Sequence, residues 1–178
     1  DIRVWDEDEA PARLVADIIL SRYGSDAVVA IDEAAPFSVY DALRQAAPGF
    51  DYVNGSRITG PCRIQKSTAE IALIQHAMDI TLAIQTAAAR IMTEGISTTE
   101  VQQFLIDAHL KMGCDGPPPF RIVLFGEPTA YPHGVPYPQA LKTGDMVLID
   151  TGARVDGYFS DITRSYVFGE PNTRQREI

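Results

Sequence analysis

A mixed α/β fold of the α+β kind is predicted by three features of the sequence. Short apolar runs alternate with helical patterns over the first 60 residues. Two Ser-x-x-Glu capping boxes, Ser67 with Glu70 and Ser97 with Glu100, open consecutive helices. Beyond Gly116 helical spacing gives way to strand patterns divided by Pro- and Gly-rich turns.

Each element has a local cause. Ala10 to Arg22 carries Leu14, Val15, Ile18 and Ile19 at helical spacing, and Tyr23-Gly24 closes it. Ala27 to Ile31 is a short apolar run expected to form a buried strand. Phe37 to Gln45 is a second helix, ended by Pro48-Gly49. Tyr52-Val53 leads into the turn dipeptide Asn54-Gly55, and Cys62 to Ser67 reads as a connector.

The longest helical pattern runs from Thr68 to about Glu94. Its expected apolar stripe is Ile71, Ile74, Met78, Leu82, Gln85, Ala89 and Met92. The next helix carries Val101, Phe104, Leu105, Ala108 and Met112 and stops at Gly113. An antiparallel helix pair follows from the short loop between them. Arg121 to Phe125, Met146 to Asp150 and Gly157 to Phe168 are strand patterns.

Composition narrows the function. The 178 residues are 46% hydrophobic and 22% charged, enough for a packed core. A net charge of −9 with no Lys/Arg cluster excludes nucleic acid as an expected partner. No apolar run reaches the roughly 20 residues of a membrane span, and the acidic start is not a signal peptide. A cytoplasmic location is expected. The two cysteines, Cys62 and Cys114, read as reduced thiols.

The chemistry concentrates around Asp156-Gly157, a two-residue hairpin loop between strand patterns. That loop pairs Val155 with Tyr158, Ala153 with Ser160, Gly152 with Asp161 and Asp150 with Thr163. Opposed residues share a face, so Asp150 and Asp161 point the same way as diagonal neighbours, roughly 7–8 Å apart. Gly152 between them is expected to leave room. The other face, with Val147, Ile149, Ala153, Val155, Tyr158 and Ile162, suits a core. Two like charges without a base invite a cation, and carboxylate oxygens suit manganese, magnesium or zinc. Two solvated acids on an edge strand are the plain alternative. His133 lies between Pro132 and Gly134, either simply exposed or a proton carrier or oxyanion partner. His76 and His109 are expected at the surface or half-buried.

These segments together resemble the pita-bread metallopeptidases, the family of methionine aminopeptidase, aminopeptidase P and prolidase, and most closely its Xaa-Pro-cleaving branch. The resembling pieces are Arg63-Ile64-Gln65-Lys66-Ser67 with Glu70, Tyr131-Pro132-His133-Gly134, Leu141 with Gly144-Asp145, Asp150-Thr151-Gly152, and Gly157-Tyr158 with Ser160-Asp161-Ile162-Thr163-Arg164. The last is the most specific. The two aspartates stand eleven positions apart, as in the family.

The resemblance implies that residues 1–60 are the end of a smaller N-terminal domain and residues 61–178 the first half of the catalytic domain. It implies two divalent metals, manganese first with cobalt or zinc as alternatives. Asp150 would bind one metal, Asp161 would bridge both, and His133 would contact the substrate carbonyl or the tetrahedral intermediate. It implies a peptide substrate with proline at the second position, and a homodimer. The family's remaining ligands, one histidine and two glutamates, have no counterpart here, because all three histidines precede Asp150. The chain is therefore expected to be a fragment of an Xaa-Pro dipeptidase or aminopeptidase, inactive alone. A creatinase-like hydrolase working without metal and a protein-binding module of the same fold are the alternatives. Retention of both aspartates speaks against each.

Overall fold

The computed structural model describes residues 2–177. Two compact units divide between Lys66 and Ser67. The boundary lies six residues beyond the expected one because a helix carries the chain past residue 60.

In the first unit, α1 (Pro11–Tyr23), β1 (Val28–Ile31), α2 (Phe37–Ala46) and β2 (Asp51–Asn54) follow the sequence reading closely. β1 and β2 pair in parallel from Val28 with Asp51 to Ile31 with Asn54, so α2 is the crossover of a βαβ unit. Pro11 opens α1, where its missing N–H costs nothing. Ala16, Ala27 and Phe50 form the core of this unit. The Tyr52 hydroxyl lies 2.8 Å from the Leu43 carbonyl oxygen and 3.0 Å from that of Ala47, tying β2 to the end of α2.

Two expectations need correction here. β1 is not buried: Val28 is 65% exposed, since the core of this unit meets alternate residues of the strand only. The connector at Cys62 is helical, because α3 runs Ser56–Ile64. The Asn54 side chain accepts the Ser56 amide at 2.7 Å and starts the helix. Gly60-Pro61 hid it in the sequence, since proline removes one interior hydrogen bond.

The second unit is built on α4 (Thr68–Ile91), α5 (Thr98–Lys111), β3 (Arg121–Phe125), β4 (Met146–Thr151), β5 (Arg154–Val155), β6 (Tyr158–Phe159), β7 (Ile162–Val167) and α6 (Thr173–Glu177). Both capping boxes form, with each Ser accepting the Glu amide and each Glu accepting the Ser amide. β3, β4 and β7 make an antiparallel sheet in that order. α4 and α5 pack against each other, and α4 also meets β5, β6 and β7. The core joins Ile80, Ile84, Val101, Leu105, Val123, Phe125, Val147 and Ile149.

The buried face of α4 differs from the expected stripe. It is Ala77, Ile80, Thr81, Ile84, Gln85 and Ala88, whereas Ile71, Met78 and Leu82 are exposed. α4 is apolar on more than one side, so periodicity alone did not select the face that meets the sheet. His109 is also fully buried, with Nδ1 2.7 Å from the Leu105 carbonyl oxygen, and desolvation lowers its pKa. The position follows from α5: His109 lies one turn after Leu105 on the buried face. No helix among the described residues is long and apolar enough to cross a membrane.

Leu105 is wholly enclosed where α5 meets the sheet. Leu105→Ala should cost about 2–5 kcal/mol, the range for an unfilled leucine cavity. A urea denaturation series compared with the unaltered protein measures it.

Candidate functional site

The hairpin that carries the two aspartates adopts the register its loop dictates. Asp150 pairs with Thr163 and Thr151 with Ile162 in the sheet, and Arg154 with Phe159 and Val155 with Tyr158 at the tip. Asp156 and Gly157 both have positive φ, 47° and 80°, as a primed two-residue turn requires. Asp115 holds this turn. Its carboxylate accepts the Asp156 and Gly157 amides, each at 2.9 Å, and pairs with Arg154 at 3.3 Å. The Gly157 N–H is the first cause that keeps the Asp115 carboxyl below its usual range.

Between sheet and tip the ladder is interrupted at Gly152-Ala153 and Ser160-Asp161. The Ser160 amide still donates to the Ala153 carbonyl at 3.0 Å. The return bond is different: the Ala153 amide donates to the Ser160 hydroxyl at 2.9 Å. The Ser160 carbonyl is displaced over Gly152, so close that a Cβ on residue 152 would stand 1.9 Å from its oxygen. Gly152 is therefore buried and has no spare volume. The expectation that it leaves room for the carboxylates is replaced by a requirement for close backbone approach.

The interruption is backed by α4. The Ser160 and Thr81 hydroxyls lie 2.8 Å apart, and each reaches the Ala77 carbonyl at 3.1 Å. One turn further on, Gln85 Nε2 donates to the Ile149 carbonyl at 3.1 Å and to the Ile162 carbonyl at 3.0 Å. Thr81, Gln85 and Ser160 are all buried. None was singled out as functional in the sequence. The available signal was a glutamine on an otherwise apolar helical stripe.

The carboxylates themselves face away from that core. Asp150 is half-buried and accepts a hydrogen bond from the Thr163 hydroxyl at 2.9 Å; Asp161 is exposed. The two are close enough to interact. The protein behind Asp161 removes water from it and raises its pKa, and the adjacent Asp150 carboxylate raises it further by charge and by a hydrogen bond between the two groups. Neither aspartate forms an ion pair among the described residues. Hard oxygen donors without an ion-pair partner, on neighbouring positions of one hairpin, fit a divalent cation. They do not enclose one: no group of three or more His, Cys, Asp or Glu among the described residues could hold a metal.

His133 is exposed and lines an open groove of about 370 Å³ with Gln102, Ile122 and Leu124. The adjoining Gly134 lies against Leu124, whose side chain would be 3.1 Å from a Cβ there. Leu124 pairs with Leu148, and Ile122 pairs with Asp150. Opposed and alternate residues share a face, so the His133 loop covers the sheet face on which Asp150 stands.

Residues 72–178 match metallopeptidase family M24, which is more than half of the chain. The chain belongs to this family. It is similar to the putative dipeptidase YkvY of Bacillus subtilis, at 34% identity over 96% of this chain and 47% of that protein. The Xaa-Pro dipeptidase of Pyrococcus horikoshii is 34% identical over 83% of this chain and 42% of its own length. Among solved structures, the Xaa-Pro dipeptidase from Bacillus anthracis superposes with a TM-score of 0.84 and 29% identity, covering 97% of this chain and 48% of that one. Prolidase from Pyrococcus furiosus gives 0.78 and 29%, over 93% and 48%. This M24 chain thus spans about half the length of the relatives it matches and has the pita-bread architecture over that half.

Two outcomes follow for the hairpin of this M24 chain. Gly152→Ala should destabilise the protein by about 3 kcal/mol, the upper end for overpacking, because backbone must move; chemical denaturation reads it. Asp150→Asn should lower the Asp161 midpoint in a carboxyl-carbon NMR titration, though not to the ordinary value, since desolvation persists. A raised folded-state pKa means that ionising Asp161 opposes folding. Its favourable contribution is present below the unfolded pKa and is lost as pH rises through the folded one.

Proposed function

We propose that this chain supplies half of a dimetal site that hydrolyses Xaa-Pro peptide bonds, within a polypeptide that carries the remaining ligands. The supporting observation is that Asp150 and Asp161 stand as diagonal neighbours on the hairpin, with no ion pair to either among the described residues. Relatives that are Xaa-Pro dipeptidases, in Pyrococcus horikoshii and Pyrococcus furiosus, support this substrate class. On this reading the unit up to Lys66 ends an N-terminal domain and the unit from Ser67 begins the catalytic one. The substrate has proline at its second position, the assembly is a homodimer and the location is cytoplasmic.

Asp150 and Asp161 are the carboxylates that would hold the metals, with manganese the first candidate and cobalt or zinc next. Divalent metal, when bound, supplies Lewis acidity and a water of lowered pKa. Asp150 is oriented by the Thr163 hydroxyl, which occupies one of its oxygens. His133, whose loop covers the same sheet face, would donate to the scissile carbonyl oxygen as charge develops there. The groove beside it gives an extended peptide a bed along β3.

In a polypeptide containing all the ligands, Asp161→Ala should lower both metal content and Xaa-Pro cleavage by at least about 100-fold. Loss of an outer partner alone costs about 10–100-fold in metal affinity or activity. Elemental analysis with a proline-dipeptide assay checks it, and full metal content with undiminished cleavage overturns the assignment. Residues 1–178 alone should bind manganese weakly and show no peptidase activity, because two carboxylates leave the ion mostly hydrated. Calorimetric titration showing tight stoichiometric binding would contradict that.

A further inference from the structure

We propose that Gln85, Thr81 and Ser160 are positioning residues that fix the Asp150–Asp161 pair by clamping the backbone on either side of it to α4. The inference rests on the metal reading above and adds residues that the ligand set does not include.

The clamp touches the chain at the positions that aim the carboxylates. Ser160 precedes Asp161 and Ile162 follows it; Ile149 precedes Asp150. Gln85 Nε2 spends both protons on Ile149 and Ile162, at 3.1 and 3.0 Å, and so bridges the two strands behind the pair. The Ser160 hydroxyl takes the Ala153 amide and is itself seated between Thr81 Oγ1 and the Ala77 carbonyl. Ala77, Thr81 and Gln85 are four residues apart, one turn above another on a single face of α4. One rigid helix thus sets the backbone at both aspartates while touching neither carboxylate.

The polarity of the clamp is not explained by packing. Gln85 is only 5% exposed, and its Oε1 has no partner among the described residues. An aliphatic side chain would fill that helix face without an unpaired buried acceptor. What the amide adds is a fixed register between two strands whose ladder is interrupted beside Asp161. The outer partners of metal ligands act in the same way, by holding the donors in the geometry the ion needs.

The test uses this chain, isotope-labelled, with manganese chloride alone, reading paramagnetic broadening of backbone amide signals. In the unaltered protein, broadening should centre on Gly152, Asp161 and Thr163 at high micromolar to millimolar metal, on the order expected for two carboxylates in an incomplete site. Gln85→Met and Thr81→Val, each close in volume to the residue replaced, should need about tenfold more manganese for the same broadening. Thr81→Ser keeps the hydroxyl and should titrate like the unaltered protein. Ile84→Val, which loosens the same helix face without touching the clamp, should do so too. Clamp variants that remain folded and titrate unchanged would overturn the inference and leave the metal reading intact. Equal weakening in Ile84→Val would also overturn it, as a general effect of core stability. Broadening in the unaltered protein that avoids Asp150 and Asp161 would remove the metal reading and the inference together.

Discussion

The Ala153 amide donates to the side chain of Ser160 rather than to its carbonyl, and much of the hairpin follows from that exchange. A regular antiparallel pair would return this bond to the Ser160 carbonyl. Here the carbonyl moves over residue 152 and only glycine can lie beneath it. The interruption separates the sheet-bound half of the hairpin, β4 with β7, from the short tip, β5 with β6. Asp161 lies at the break. No residue is inserted on either strand, because the register on the two sides of the interruption is continuous.

Such a break exposes polar groups to the core, and α4 satisfies them. The Thr81 and Ser160 hydroxyls meet over the Ala77 carbonyl, and Gln85 reaches two strand carbonyls. Asp115 does the same from outside, where it closes the tip by accepting both turn amides. The hairpin is therefore held at its tip by Asp115 and behind its interruption by a helix. It also carries an electrostatic cost: two carboxylates on the open face repel each other, and desolvation of Asp161 adds to the cost of its charge.

The hairpin was the most legible part of the sequence. Asp156-Gly157 set the loop, the period of two set the faces, and together they put Asp150 opposite Thr163 as observed. The capping boxes at Ser67 and Ser97 likewise marked helix starts, because a cap is a local interaction read from four residues. What stayed hidden depends on tertiary contact. The face of α4 that meets the sheet, the burial of His109 and the crowding at Gly152 are each set by another element. α3 was hidden for the opposite reason: Gly60-Pro61 is a strong local signal against a helix that forms regardless.

Two accounts of the aspartate pair ask different things of the hairpin. Solvated acids on an edge strand would tolerate a mobile, regular hairpin, since neither carboxylate needs a fixed direction. The observed hairpin is instead irregular, with a glycine that admits no side chain and a buried glutamine that leaves one acceptor unpaired. Each of these lowers stability. Features that lower stability persist where geometry matters for function. Asp150 and Asp161 flank the backbone that this arrangement holds, and on the proposed reading they are the groups that hold metal. On that reading the irregular backbone and the unbalanced charge share one explanation, a cation held between the two carboxylates.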